Sequence, residues 1–236
     1  IMKRLTENRS LNLASDIYQK RISAGEEILD SGLVENTHRC GPVCDSCEGI
    51  QFKVFGWPCK ECKRCKTIYS SQVPSEEGFI EYYAKVSVLN SQLWKNSRDK
   101  QFIEKYDEIQ KLINNHGGHV KSTVELGCGN GDFVAYLQQN GFKSAGIDLD
   151  QKLIAEGRKN GTNLICGDIL SCSIPKSDLY LCYEIIEHLS DPKSFLKKIY
   201  EQMNKGSFLI LSTPNADGLD NKKIPPEQKD RFIASA

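Results

Sequence analysis

Glu125-Leu126-Gly127-Cys128-Gly129-Asn130-Gly131 closes a short apolar run, Ser122–Leu126, and opens a helical one, Asp132–Asn140, that stops at Gly141. Glycines at such a bend let the backbone come close to a ligand, and the helix that follows offers unpaired N–H groups. A dinucleotide fingerprint needs Gly127, Gly129 and then a small residue at 132. Position 132 is Asp132, the third glycine comes one residue early, and Glu125 stands two residues before the first. Two acids beside the bend suit a cationic ligand better than a pyrophosphate. No Walker pattern is present.

The same alternation continues after this loop. Ser144–Asp148, Asn163–Cys166, Asp178–Tyr183 and Ser207–Ser212 read as strands. Gln151–Lys159 reads as a helix, and Asp191-Pro192 as an N-cap with proline at the first helical position, ahead of Phe195, Leu196, Ile199, Tyr200 and Met203. Strands alternating with helices predict an α/β, Rossmann-like, doubly wound parallel sheet. Upstream, Arg98–Asn114 carries Phe102, Tyr106, Ile109, Leu112 and Ile113 at helical spacing. Ser75 is the expected N-cap of a helix with Phe79, Tyr82, Tyr83, Val86 and Leu89 on one side. Residues 1–37 read as a helical lead-in, 38–72 as a Cys-rich module, 73–118 as a helical linker or lid and 119–236 as the ligand-binding domain.

Each strand ends on residues suited to a ligand. Gly146-Ile147-Asp148-Leu149-Asp150 puts an acid where it can accept both hydroxyls of a ribose. Cys166-Gly167-Asp168-Ile169 follows the third strand, Tyr183-Glu184-Ile185-Ile186-Glu187-His188-Leu189-Ser190-Asp191-Pro192 the fourth, and Thr213-Pro214-Asn215 the fifth. In this order the segments resemble class I S-adenosylmethionine-dependent methyltransferases, in the branch of ubiquinone-type, small-molecule and sugar enzymes. The resemblance covers residues 120–215. It implies that Glu125 and the Gly127, Cys128, Gly129 and Gly131 backbone hold the methionine end of S-adenosylmethionine. Asp148, with Leu149, would take the ribose side. Asp168 and Ile169 would face the adenine. Tyr183 and Glu184 would border the methyl group and a small-molecule or sugar acceptor.

A hydroxyl acceptor must lose a proton, which calls for a base or a metal. Glu184-x-x-Glu187-His188 is the nearest constellation. Some relatives place a Mg²⁺ ion on such a motif. No histidine follows His188 as a further ligand, and a turn cap is the preferred reading of Glu187-His188. His188 as general base, with Glu187 and Tyr183 beside it, is a separate expectation.

Six of the ten cysteines lie between Cys40 and Cys65. Clustering of this kind indicates metal ligands in a reducing cytoplasm rather than a disulfide scaffold. Cys44-x2-Cys47 and Cys62-x2-Cys65, 14 residues apart, form the preferred Cys₄ set for a structural Zn²⁺. Cys40 and the Cys59-x2-Cys62 spacing leave the register open. The order from Cys65 through Tyr69, Pro74-Ser75-Glu76-Glu77 and Tyr82-Tyr83 resembles the zinc-binding segment ahead of many sugar and natural-product methyltransferases.

Composition narrows the rivals. Thirty-one Lys and Arg balance 31 Asp and Glu, so bulk electrostatics gives nucleic-acid binding no support. Lys53, Lys60, Lys63, Arg64 and Lys66 read as a solvated face. No apolar run approaches the roughly 18–20 residues of a membrane span, and residues 1–15 lack the apolar segment of a secretory signal. An RNA-modifying methyltransferase and a non-catalytic zinc-bearing adaptor are the alternatives. The 24 residues after Ser212 are too few for a helix and two more strands, so the domain is expected to be C-terminally incomplete. Composition says nothing about oligomeric state.

Overall fold

The structure is a computed structural model that describes residues 19–35, 39–54, 56–75, 77–82, 85, 98–116 and 119–215. It divides into two compact units, one within residues 1–96 and the other spanning Ser97–Pro214.

The first unit begins with helix α1 (residues 19–30). Ala24 and Ile28, four apart and so on one face, are buried. Strand β1 (Val34–Glu35) pairs antiparallel with β5 (Val73–Pro74). Between them lie β2 (Gly49–Val54), β3 (Trp57–Cys62) and β4 (Ile68–Ser70), an antiparallel sheet with β3 in the centre. Ser75 caps α2 (residues 77–82) as expected, its Oγ accepting from the Gly78 amide at 3.1 Å. Tyr83, Val86 and Leu89, expected on the same helix face, lie outside the described residues.

The second unit opens with α3 (Arg98–His116). Five parallel strands follow: β6 (Ser122–Leu126), β7 (Lys143–Asp148), β8 (Leu164–Cys166), β9 (Leu179–Tyr183) and β10 (Phe208–Ser212). Helices α4 (Asp132–Gln139), α5 (Gln151–Lys159) and α6 (Pro192–Gln202) alternate with them. The strand order β10-β9-β6-β7-β8 is that of a doubly wound sheet. From β6 the chain first moves out through β7 and β8, then crosses back to β9 and β10. The reversal leaves a crevice at the carboxyl ends of β6 and β9, where such sheets bind ligands.

The period-2 pattern of the strands sorts the core into two faces. Val124, Leu126, Tyr180 and Cys182 face α6 through Phe195 and Ile199. Leu179 and Leu181 face α3 and α4 through Ile109, Phe133 and Leu137. Glu125 alternates with Val124 and Leu126, so it belongs to the α3 and α4 face. Helix α3, which the sequence reading placed at the end of a linker, is therefore part of this unit's core. The α6 cap forms as read, and α5 is capped as well. Asp150 accepts from Lys152 and Leu153 amides, and Asp191 from the Ser194 amide ahead of Pro192. At the far end of β6, Asp178 Oδ2 accepts from the Lys121 and Ser122 amides and the Ser122 hydroxyl, each at 2.9 Å.

Candidate active site

Every cofactor-side residue expected from the sequence lies at the carboxyl edge of one sheet. Glu125 sits opposite Leu181 and Gly146 in the ladder, and Asp148 opposite Cys166. Gly127, Gly129 and Gly131 all have positive φ, at 74°, 56° and 76°. At Gly131 a side chain is also excluded by space, since a Cβ would lie 2.6 Å from Leu164 Cδ2. The Gly127 and Cys128 amides both donate to Ile147 O, at 2.8 and 3.0 Å. Cys128 turns its thiol inward against Val134, Ile154 and Leu164. Burial pushes that thiol above its ordinary range, so only its backbone faces the crevice.

Asp148 joins the loop to the next strand. Its Oδ2 accepts from the Gly129 amide at 2.7 Å and its Oδ1 from the Asp150 amide at 2.8 Å. Each carboxylate oxygen carries a second lone pair that can accept from a hydroxyl. Leu149, 71% exposed, stands beside it. Across the crevice Asp168 is exposed, with Oδ1 accepting from the Leu170 amide at 3.0 Å, and Ile169 is buried.

The floor under the β6 end is unusual. Glu125 is 6% exposed, and its Oε2 has no hydrogen-bond partner among the described residues. Burial drives its carboxyl to about 7, against the opposing pull of Lys105. Lys105 projects from α3, with Nζ 4.0 Å from the Tyr183 ring centre and 5.2 Å from that of Phe133. Burial lowers its pKa, while Glu125, Glu184 and Glu108 favour its charged form. The Tyr183 hydroxyl is also buried and unpartnered among the described residues, and burial raises its pKa well above the phenol range. A buried carboxyl oxygen and an ammonium within electrostatic reach of it complement a zwitterion.

Lys105 escaped the sequence reading, although the signal was present. It lies three residues after Phe102 and four before Ile109, on the apolar stripe of α3.

The third expected group lies just beyond β9. Glu184 has φ 54°, a left-handed conformation that a non-glycine residue adopts at a cost of about 1–3 kcal/mol. Its amide donates to Ser212 O at 3.1 Å, and Ser212 Oγ donates to its Oε1 at 2.7 Å. Thr213 Oγ1 donates to Glu187 Oε2 at 3.2 Å, while Glu187 Oε1 is buried without a partner among the described residues. Burial lifts the Glu187 carboxyl above its usual range. His188 is exposed on the 3₁₀ turn Ile186–His188. The three side chains do not converge as metal ligands. Among the described residues, the group of three donors within 4.8 Å of one another is Cys44, Cys62 and Cys65. The Mg²⁺ expectation therefore gains no support.

Of the expected quartet Cys44, Cys47, Cys62 and Cys65, the structure gathers three thiols. Cys44, Cys62 and Cys65 do assemble, with Cys44 Sγ 3.5 Å from Cys62 Sγ. Cys47, however, is joined to Cys40 in a disulfide. The cause is the turn between them: Gly41 N donates to Ser46 O at 2.8 Å and Asp45 N to Gly41 O at 3.0 Å, which brings the two Cα atoms to 4.1 Å. The competing Cys59–Cys62 register fails because residues three apart on β3 point to opposite faces. Burial raises Cys59 to about 11. Cys65, by contrast, is held at about 6, chiefly by the Thr67 hydroxyl 3.2 Å from its sulfur and by the Thr67 amide.

Comparison with known proteins supplies the family. Residues 95–232, more than half of the chain, match the family model described as a methyltransferase domain. The chain belongs to this family. Among curated proteins it is similar to the ubiquinone biosynthesis O-methyltransferase of Idiomarina loihiensis, 29% identical over 147 residues that cover 57% of this chain and 60% of that protein. It is also similar to the enzyme of that name from Coxiella burnetii, 30% identical over 115 residues, 45% of this chain and 48% of that protein. The matches thus span about half to three-fifths of these relatives. A solved S-adenosylmethionine-dependent methyltransferase from Clostridium acetobutylicum superimposes with a TM-score of 0.45, at 22% identity, over 55% of this chain and 56% of that one. The methyltransferase match includes α3, so Lys105 falls within it. No described helix is long and apolar enough to cross a membrane.

Proposed function

We propose that this chain transfers a methyl group from S-adenosylmethionine to a small-molecule or sugar acceptor. The observation that carries this reading is the buried Glu125 Oε2, without a hydrogen-bond partner among the described residues and within electrostatic reach of the Lys105 ammonium, at the switch point of the sheet. An amino acid's ammonium and carboxylate match these two charges. Asp148 and Leu149 suit a ribose and the flat base beyond it, with Asp168 on the base's polar edge.

When bound, S-adenosylmethionine supplies a sulfonium methyl group whose in-line displacement releases a neutral thioether. Alignment then accounts for much of the catalysis. Glu125 and Lys105 fix one end, Asp148 the other, and the rigid glycine loop sets the distance between them. Tyr183 keeps its phenolic proton at neutral pH and acts as a donor at the acceptor side. Glu187, with a raised carboxyl pKa and a buried oxygen that has no hydrogen-bond partner among the described residues, is the better placed proton acceptor. His188, exposed on the adjoining turn, is the second candidate base.

Calorimetric titration with S-adenosylhomocysteine tests the reading. Micromolar binding is expected, and Asp148→Ala weakens it at least tenfold, about 1.4 kcal/mol. A folded protein that binds no S-adenosylhomocysteine would favour the adaptor alternative.

For the first unit, Cys44, Cys62 and Cys65 fit a thiophilic divalent cation. Tetrahedral zinc with bonds of about 2.3 Å needs sulfurs roughly 3.8 Å apart, close to the spacing here. Reduced Cys47, three residues from Cys44, is the proposed fourth ligand of a structural Zn²⁺.

A further inference from the structure

Five cysteines gather where a Cys₄ site needs four. Cys44, Cys62 and Cys65 supply three thiols within 4.8 Å of one another. The fourth corner falls to Cys47 by its place in the Cys44-x2-Cys47 knuckle, yet Cys47 is bonded to Cys40. Cys40 lies outside both CxxC pairs and has no part in the knuckle geometry. It is nonetheless built against the cluster. The next residue, Gly41, directs its missing Cβ to within 3.8 Å of Cys62 Sγ, and two backbone hydrogen bonds close the 41–46 turn. Asp45, inside that turn, has φ 58°, which fixes the left-handed bend between Cys44 and Cys47. The scaffold that presents Cys47 to Cys40 is therefore the same scaffold that presents Cys44 to Cys62.

We propose that Cys40 is a redox partner that withdraws Cys47 from the metal site, so that one turn holds either a four-thiolate centre or a disulfide beside three thiols. This rests on the zinc reading above and is independent of the methyltransferase reading. In the oxidising direction a low-molecular-weight disulfide such as oxidised glutathione is the electron acceptor. Cys40 attacks it as a thiolate and one glutathione thiol leaves. Cys47 sulfur then displaces the second glutathione, forming the Cys40–Cys47 bond. The Cys40 thiol gives up one proton, the Cys40 sulfur and the zinc-bound Cys47 thiolate together give up two electrons, and one glutathione disulfide becomes one thiol and one thiolate, which takes its proton from water. Zn²⁺ is left with three thiolates and dissociates more readily. Two equivalents of thiol reverse the exchange, and Cys47 gives up its proton when metal returns.

The test uses the full chain, reduced and loaded with Zn²⁺, then treated with oxidised glutathione. Released zinc is followed with a colorimetric chelator, thiols are counted, and the new disulfide is mapped by peptide mass. Wild type is expected to lose zinc in step with loss of two thiols, mapped to Cys40 and Cys47, with zinc affinity falling on the order of 100-fold or more. Cys40→Ser should hold zinc through the same treatment. When reduced, it should give the same Co²⁺ charge-transfer and ligand-field intensities as wild type, the signature of four thiolates. Zinc release from Cys40→Ser at the wild-type rate would overturn the proposal, as would full zinc retention by wild type carrying a mapped Cys40–Cys47 bond. A weakened Co²⁺ spectrum in reduced Cys40→Ser would make Cys40 a ligand instead and also overturn it. If reduced wild type binds neither Zn²⁺ nor Co²⁺, the zinc reading itself fails and the switch falls with it.

Discussion

Glu125→Gln weakens S-adenosylhomocysteine binding at least about 100-fold, or about 2.7 kcal/mol, and removes its pH dependence. Stripping one partner from a buried charge pair costs about 3–5 kcal/mol, because the other charge is left uncompensated. The pH behaviour follows from the carboxyl's position at about 7 in the free protein. Below that value Glu125 carries a proton that an incoming ammonium must displace. Wild-type affinity should therefore fall about tenfold per pH unit on going down from 7. Glu125→Gln has no such proton, and its affinity stays level.

The same group predicts a stability trend. Its folded pKa is raised from an ordinary 4.5 to about 7, so the folded state binds more protons than the unfolded state between those values. Stability is then fully present below about pH 4.5 and is lost as pH rises through 7, by on the order of 3 kcal/mol from this residue. Denaturant titrations across that window should show the slope in wild type and a flatter profile in Glu125→Gln. As a control, 5′-methylthioadenosine, which lacks the amino-acid end, should bind both proteins alike. A Gln variant that binds S-adenosylhomocysteine within a few-fold of wild type would refute the role of Glu125.

Gly157→Ala should destabilise the chain by about 1–3 kcal/mol, and it should also weaken S-adenosylhomocysteine binding. Helix propensity alone predicts the opposite sign, a gain of about 1 kcal/mol for alanine inside α5. The close approach of the glycine loop decides the matter. A Cβ at 157 would lie 2.0 Å from Asn130 O and 2.5 Å from Leu164 Cδ1. The first contact is with backbone and cannot be relieved by a rotamer change. Either α5 or the ligand loop must move. Equilibrium unfolding with calorimetry on the same sample checks both effects, and a rise in stability would show that the contact yields.

The parallel sheet was legible because its strands are short apolar runs, four of the five ending on or just before glycine or an acid. The ligand crevice followed from the order of those endings. Glu125, Asp148 and Asp168 lie where the pattern put them, at neighbouring strand ends. Lys105 was hidden because a lysine on an amphipathic helix ordinarily marks the solvent side, and only its spacing from Phe102 and Ile109 shows otherwise. Gly157 was hidden because a helix interior gives no sign of what passes beside it. The Cys40–Cys47 bond was missed for a different reason. Spacing identifies knuckles, but only the folded turn brings residue 40 to residue 47.

The hydrogen bond from the Gly129 amide to Asp148 has a thermodynamic consequence. It is made between the protein's own atoms and ties the glycine loop to the end of β7, which assigns the loop's ordering entropy to folding rather than to association. The heat-capacity change of binding should then reflect only the apolar surface the ligand covers, chiefly at Leu149, with no contribution from loop folding.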